Sequence, residues 1–218
     1  LNVDVDEKID GMVDISLCYK GDNLVSKFAG SGVREHIDDN LAYSSFVSPE
    51  SIAKTTDGTI YLSDAGIIKK IKDGKVESIS FEPEYITAKI IRAYEDELYV
   101  LTDPWEDDDG VVYGIIKMSD NGVEGLYIGD AVFTSIEDFD FTKDGELYFV
   151  ENNIGTGISM IKAIDTKELE VQEICKIEDG IKAIAIDPEG NIYLANPERG
   201  LIQKYDSNNK AIKYFAGV

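Results

Sequence analysis

Apolar positions in this chain come in short runs bounded by acidic or glycine turns, and one such run is written four times. The copies are 57–64 (DGTIYLSD), 95–103 (EDELYVLTD), 144–152 (DGELYFVEN) and 189–196 (EGNIYLAN). Each reads as a polar turn, a short strand centred on an aliphatic–Tyr pair, and a closing Asp or Asn. The repeated tyrosines, Tyr61, Tyr99, Tyr148 and Tyr193, follow one another at 38, 49 and 45 residues. Self-similarity at roughly 40–45 residues, built from short strands, is the pattern of β-propeller blades. No window carries a sustained helical period, so the chain reads as all-β.

The segments around each copy complete four-stranded antiparallel blades. In the first, strands near 51–54, 60–62, 67–71 and 76–79 are joined by turns at Asp57-Gly58 and Asp73-Gly74. Asp-Gly between alternating segments is a hairpin signal, because glycine accepts the positive φ such turns need. The third strands repeat as IIKKI, IIKMS, MIKAI and LIQKY. Complete blades are predicted over 49–80, 85–128, 134–175 and 181–217, with 1–30 as an incomplete N-terminal unit, all in one domain spanning 1–218. Residues 15–30 match the last two strands of the final blade, and SKFAGSGV near Phe28 is echoed by KYFAGV at Phe215. Two readings of the ring remain. Either the N-terminal segment closes a ring of about five units, or the chain is a segment of a larger, six-bladed ring. In the second case exposed edge strands at both ends invite self-association.

Charge narrows the partners. Forty-three acidic residues against 21 basic ones give a formal charge of −22. A surface this negative repels phosphate backbones and anionic lipid, which argues against nucleic acid and membrane surfaces. It suits cations, basic proteins or neutral glycans, and it also simply confers solubility. No apolar run reaches the ~18–20 residues of a membrane-spanning helix. A chain that begins at Leu1 and is this acidic fits an extracellular or cell-surface location better than a cytoplasmic one. Cys18 and Cys175 lie in strand-like segments without metal-binding spacing, as two small buried residues would.

The run Pro49-x-x-Ile52-Ala53, then Asp57–Asp64, then Ile67–Ile71, preceded by Phe28-Ala29-Gly30-Ser31-Gly32, resembles an NHL-repeat propeller unit. That resemblance is sharpest over 25–80 and 181–218. It implies radial sheets around a central channel, with binding at rim loops and the channel mouth. The basic rim of RNA-binding members is absent. Gluconolactonase-like propellers are a more distant resemblance, through their Asp/Asn metal ligands.

Candidate chemistry follows from the unrepeated residues and from the strand ends. Asp64, Asp103, Asn152 and Asn196 close the second strands, one per blade, and a ring of such oxygens suits a hard cation such as calcium. The same residue types also close strands by bonding their own turns. Trp105 heads an acidic insertion, 104–110 (PWEDDDG), where an exposed aromatic face would suit a glycan or peptide. The loop 31–48 carries the only histidine, His36, together with Tyr43. A lone histidine without a nucleophile motif makes a catalytic triad a poor fit. The tyrosine stripe reads as packing between blades. The chain is therefore expected to be a non-enzymatic binding module, presenting loops 31–48, 103–110, 151–157 and 196–200 to a protein or glycan. The alternative is a metal-dependent hydrolase of a lactone or ester at the channel mouth.

Overall fold

The computed structural model describes residues 26–79, 87–107, 110–119, 122–130, 134–206 and 211–217. The expectations for most of the N-terminal unit, Cys18 among them, lie outside these residues. Among the described residues there is no helix, and the strands form four antiparallel sheets in chain order. The first sheet is β1 (Pro49–Lys54), β2 (Ile60–Asp64), β3 (Ile67–Lys72) and β4 (Lys75–Ile79). The second holds β5 (Ala88–Tyr94), β6 (Glu97–Thr102), β7 (Trp105–Asp107), β8 (Gly110–Ser119) and β9 (Gly122–Asp130). The third is β10 (Thr134–Phe141), β11 (Leu147–Asn153), β12 (Ser159–Ile164) and β13 (Val171–Ile177). The last is β14 (Ala183–Ile186), β15 (Ile192–Asn196), β16 (Leu201–Asp206) and β17 (Ala211–Ala216). This is the blade architecture of a β-propeller, with the four copies of the repeated run supplying β2, β6, β11 and β15.

Alternation along those second strands explains why an aliphatic–Tyr pair recurs. Neighbouring side chains point to opposite faces, so each pair feeds the two cores that flank its blade. Tyr99 joins Phe139, Leu147 and Phe149 between the second and third blades, while Val100 joins Ile68 and Ile91 between the first and second. Val150 and Leu194 meet between the third and fourth. Tyr61 and Tyr148 pack against these clusters too, as the stripe predicts. Tyr193 lies edge-on to the exposed Phe215 ring, centroids 5.1 Å apart. The leading face of the first blade is sealed by the segment before it, where Ala29, Leu41 and Phe46 cover Leu62, Ile71 and Val76.

Two expectations change. The acidic insertion is not simply a loop: Trp105–Asp107 pairs with Gly110–Val112 and adds a short fifth strand to the second blade. Its tryptophan is half-buried against the core between the first two blades. The third-strand alignment is also one residue out of phase in that blade. Lys69 and Lys162 stand opposite Leu62 and Phe149, whereas Lys117 stands opposite Tyr99.

Candidate functional site

The first strands pack side by side, β1 on β5, β5 on β10 and β10 on β14, and so make the wall nearest the axis. At one end of this wall the pairing slips in blade after blade. The register jumps from Pro49 to Ser51, from Ala88 to Ile90 and from Ile136 to Asp138. Each jump leaves one residue unpaired as a β-bulge: Glu50, Lys89 and Glu137. Lys182 holds the matching place before β14, its N–H bonding the carbonyl of Ala195, which stands opposite Ala183. A bulge breaks strict alternation and re-aims its side chain. Here the three bulged residues and Lys182 line one axial cleft of about 360 Å³, with Arg92 and Asp138 beside them. Their charges alternate: Glu, Lys, Glu, Lys.

The cleft is partly neutralised from within. Lys182 Nζ lies 2.8 Å from Glu137 Oε2, and Arg92 Nη2 donates to Asp138 Oδ1 at 2.9 Å. Ser135 and Asn152 donate to the other Glu137 oxygen at 2.9 and 3.3 Å. Burial works against the charged form of Glu137. The hydrogen bonds from Lys182 and Ser135, with the nearby charge of Lys89, outweigh it and hold the carboxyl below its ordinary range. Asp138 goes the other way: burial raises it in spite of Arg92 and two backbone N–H donors. Among the described residues Glu50 accepts only a long 3.4 Å bond from Ser48, and neither Glu50 nor Lys89 makes an ion pair.

The sequence-predicted residues are distributed differently. Asp64 is fully buried and accepts N–H bonds from Val47 at 2.9 Å and Ser48 at 2.6 Å. His36 Nδ1 reaches the same carboxylate at 3.0 Å, so the lone histidine and the first closing Asp do come together. Asp103 accepts from Thr87. Asn152 donates to the carbonyl of Ile181 in the next blade and accepts from Ser159. Asn196 accepts from the N–H of Arg199, and its own Nδ2 is buried without a partner. These four do not form one layer. Asp64 and Asn196 stand three residues after their tyrosines, Asp103 and Asn152 four. The residues in one structural column are Asp64, Thr102, Glu151 and Asn196. Among the described residues no three His, Cys, Asp or Glu side chains are grouped to hold a metal. Trp105 lies over Gly114, and Tyr43 stands exposed in a turn opened by Asn40.

Glu151 organises a second polar cluster, between the second and third blades. It accepts from Tyr113 at 2.9 Å and Tyr127 at 2.5 Å, and Lys162 Nζ lies 2.5 Å away. Burial opposes its charge, yet these donors hold the carboxyl low. Burial and the Glu151 charge push both tyrosines up.

Glu50, Lys89, Glu137 and Lys182 were missed from sequence, although a signal exists. Each is a charged residue 11, 10, 11 and 11 positions before its blade's tyrosine. Alternation alone gives no reason to single them out, because a bulge is a property of pairing.

No protein-family model matches the sequence, and no curated protein matches it. The fold does match solved structures. A Bacteroides thetaiotaomicron structural-genomics protein of unknown function is 16% identical with a TM-score of 0.65, over 88% of this chain and 49% of its own. An auxiliary nutrient-binding protein of the same organism is 16% identical with a TM-score of 0.63, over 86% and 47%. An inactive virginiamycin B lyase from Staphylococcus aureus, solved with quinupristin, is 13% identical with a TM-score of 0.56, over 77% and 55%. The chain spans about half the length of these proteins, and what it shares with them is the propeller fold.

Proposed function

We propose that the chain is a non-enzymatic binding module that receives a polar group of a protein or glycan partner at its axial cleft. One observation carries this reading: the bulges of three successive blades, with the matching position before β14, bring four charged side chains to a single cleft, an arrangement that blade packing does not require. The rim loops expected from sequence open at the same end of the sheets, so a larger partner would meet them around the cleft. A binding role is supported by the nutrient-binding protein that shares the fold. The NHL-type reading of the repeat and an extracellular location belong to the same proposal.

The test is capture on glycan and peptide arrays by the protein and by Lys89→Glu, which reverses one charge of the cleft. Ligands retained by the protein and lost by Lys89→Glu are the expected result. Capture indifferent to Lys89 and abolished by Tyr43→Ala would move the site to the loop 31–48 and overturn the axial reading.

A second reading, self-association through the last blade, is favoured by the exposure of Phe215 (61%) and Ile202 (37%) on β17 and β16. Sedimentation velocity at rising concentration decides it, a constant monomer being the adverse result.

A further inference from the structure

We infer that the group recognised in the axial cleft is a small zwitterion, one molecule carrying an ammonium and a carboxylate, as a free amino acid does. The inference rests on the axial-cleft reading and adds the chemistry of its ligand. Of the four charged residues that line the cleft from the bulge positions and the position just before β14, Glu137 and Lys182 are already joined at 2.8 Å. Arg92 and Asp138, lower in the wall, are joined at 2.9 Å. Glu50 and Lys89 are left without an ion pair among the described residues: one anion and one cation, on adjacent inner strands and lining the same cleft, with Lys89 near enough to Glu137 for its charge to be felt there. A ligand with both charges can lie between them, its carboxylate toward Lys89 Nζ and its ammonium toward the Glu50 carboxylate.

Net charge separates this class from its rivals. A simple anion would meet Lys89 but would have to approach a chain of formal charge −22, whose field raises the cost of bringing it in. A simple cation would be drawn to the surface at large, with nothing to localise it here, and would leave Lys89 unsatisfied. A neutral sugar could accept and donate hydrogen bonds but would satisfy neither charge fully on leaving water. A zwitterion carries no net charge through the field and matches an alternating pair on arrival. The volume of about 360 Å³ lies toward the lower end of small-ligand sites, which suits an amino acid better than a long oligosaccharide.

The experiment is isothermal titration calorimetry of the protein with each free amino acid. The comparison probes are the N-acetyl and methyl-ester forms of any that bind, and glucuronate and maltotriose as anionic and neutral probes. Binding of at least one amino acid is expected, with a loss of roughly tenfold or more when either charge is blocked. Lys89→Met and Glu50→Gln should each cause a comparable loss, and Lys89→Arg should restore part of it. Melting curves of the variants show whether any loss comes from misfolding. If maltotriose or glucuronate binds, and Lys89→Met removes that binding, the zwitterion is overturned while the axial cleft stands. If none of these probes binds, or binding ignores both Glu50 and Lys89, the zwitterion is overturned and the axial reading loses its support.

Discussion

Glu137, the bulged residue of β10, and Lys182, just before β14, meet at 2.8 Å across the mouth of the axial cleft. The pair is lopsided. The Lys182 side chain is 56% exposed and that of Glu137 only 14%. Lys182→Ala should therefore cost less than about 1 kcal/mol, as exposed partners do. Glu137→Ala should cost about 1–3 kcal/mol, because Ser135 and Asn152 lose an acceptor as well. Urea unfolding of the two variants checks the order, and equal costs would contradict it.

Lys69 is wholly buried, and its ammonium is held at 2.5 Å by Asp38, reaching across from the 31–48 loop. Asp38 also takes the N–H and hydroxyl of Ser78, so one carboxylate ties that loop to both outer strands of the first blade. Asp38→Ala should cost about 2–3 kcal/mol, less than a fully buried pair because the carboxylate reaches water. Lys69→Met in the same chain should recover part of that, since the stranded charge is then gone. A double-mutant cycle with additive costs would show that the two residues are not coupled.

Acid should loosen the protein in a defined direction. Glu151, Glu137 and Asp38 all titrate lower in the folded chain than in the unfolded one. Their contribution is complete above the unfolded carboxylate range of about 4 and is lost as pH falls below it, toward the folded values. Asp138, raised by burial, works in the opposite sense and blunts the effect. The urea midpoint should drop between pH 7 and pH 3, and Glu151→Gln should make that drop shallower. A midpoint that rises on acidification would show that Asp138 dominates.

Calcium is expected to leave the melting temperature unchanged, because the closing residues are occupied. Both oxygens of Asp64 already take backbone N–H donors, and Asp103, Asn152 and Asn196 bond within their own surroundings. Asp64→Ala should cost about 2–3 kcal/mol by stranding the N–H groups of Val47 and Ser48. A calcium-dependent rise in melting temperature that vanishes in Asp64→Ala would restore the cation reading by linkage.

Much of the architecture was legible because a blade repeats local rules. The aliphatic–Tyr pair, its acidic turn and its closing polar residue recur in order, and each copy became the second strand of a sheet. Tyr99 and Val100 show why the pair recurs: one side chain is owed to each neighbouring core. The insertion at 104–110 was harder to read. Pro104 and a run of acids look like a loop, and only the free edge of the long strand β8 gave Trp105–Asp107 a partner.

The sequence by itself determined the strands, their repeat and the faces that pack, because those follow from side-chain alternation and turn chemistry within each blade. Only the tertiary structure decided which polar residues share a site. Asp64 and Asn152 looked equivalent as strand ends, but a one-residue difference in phase turned them to opposite faces. Glu50, Lys89, Glu137 and Lys182, far apart along the chain, were gathered at one cleft by bulges in three blades and the matching position in the fourth. A bulge exists only between paired strands, and a cleft only between packed blades, so neither has a counterpart in the order of residues alone.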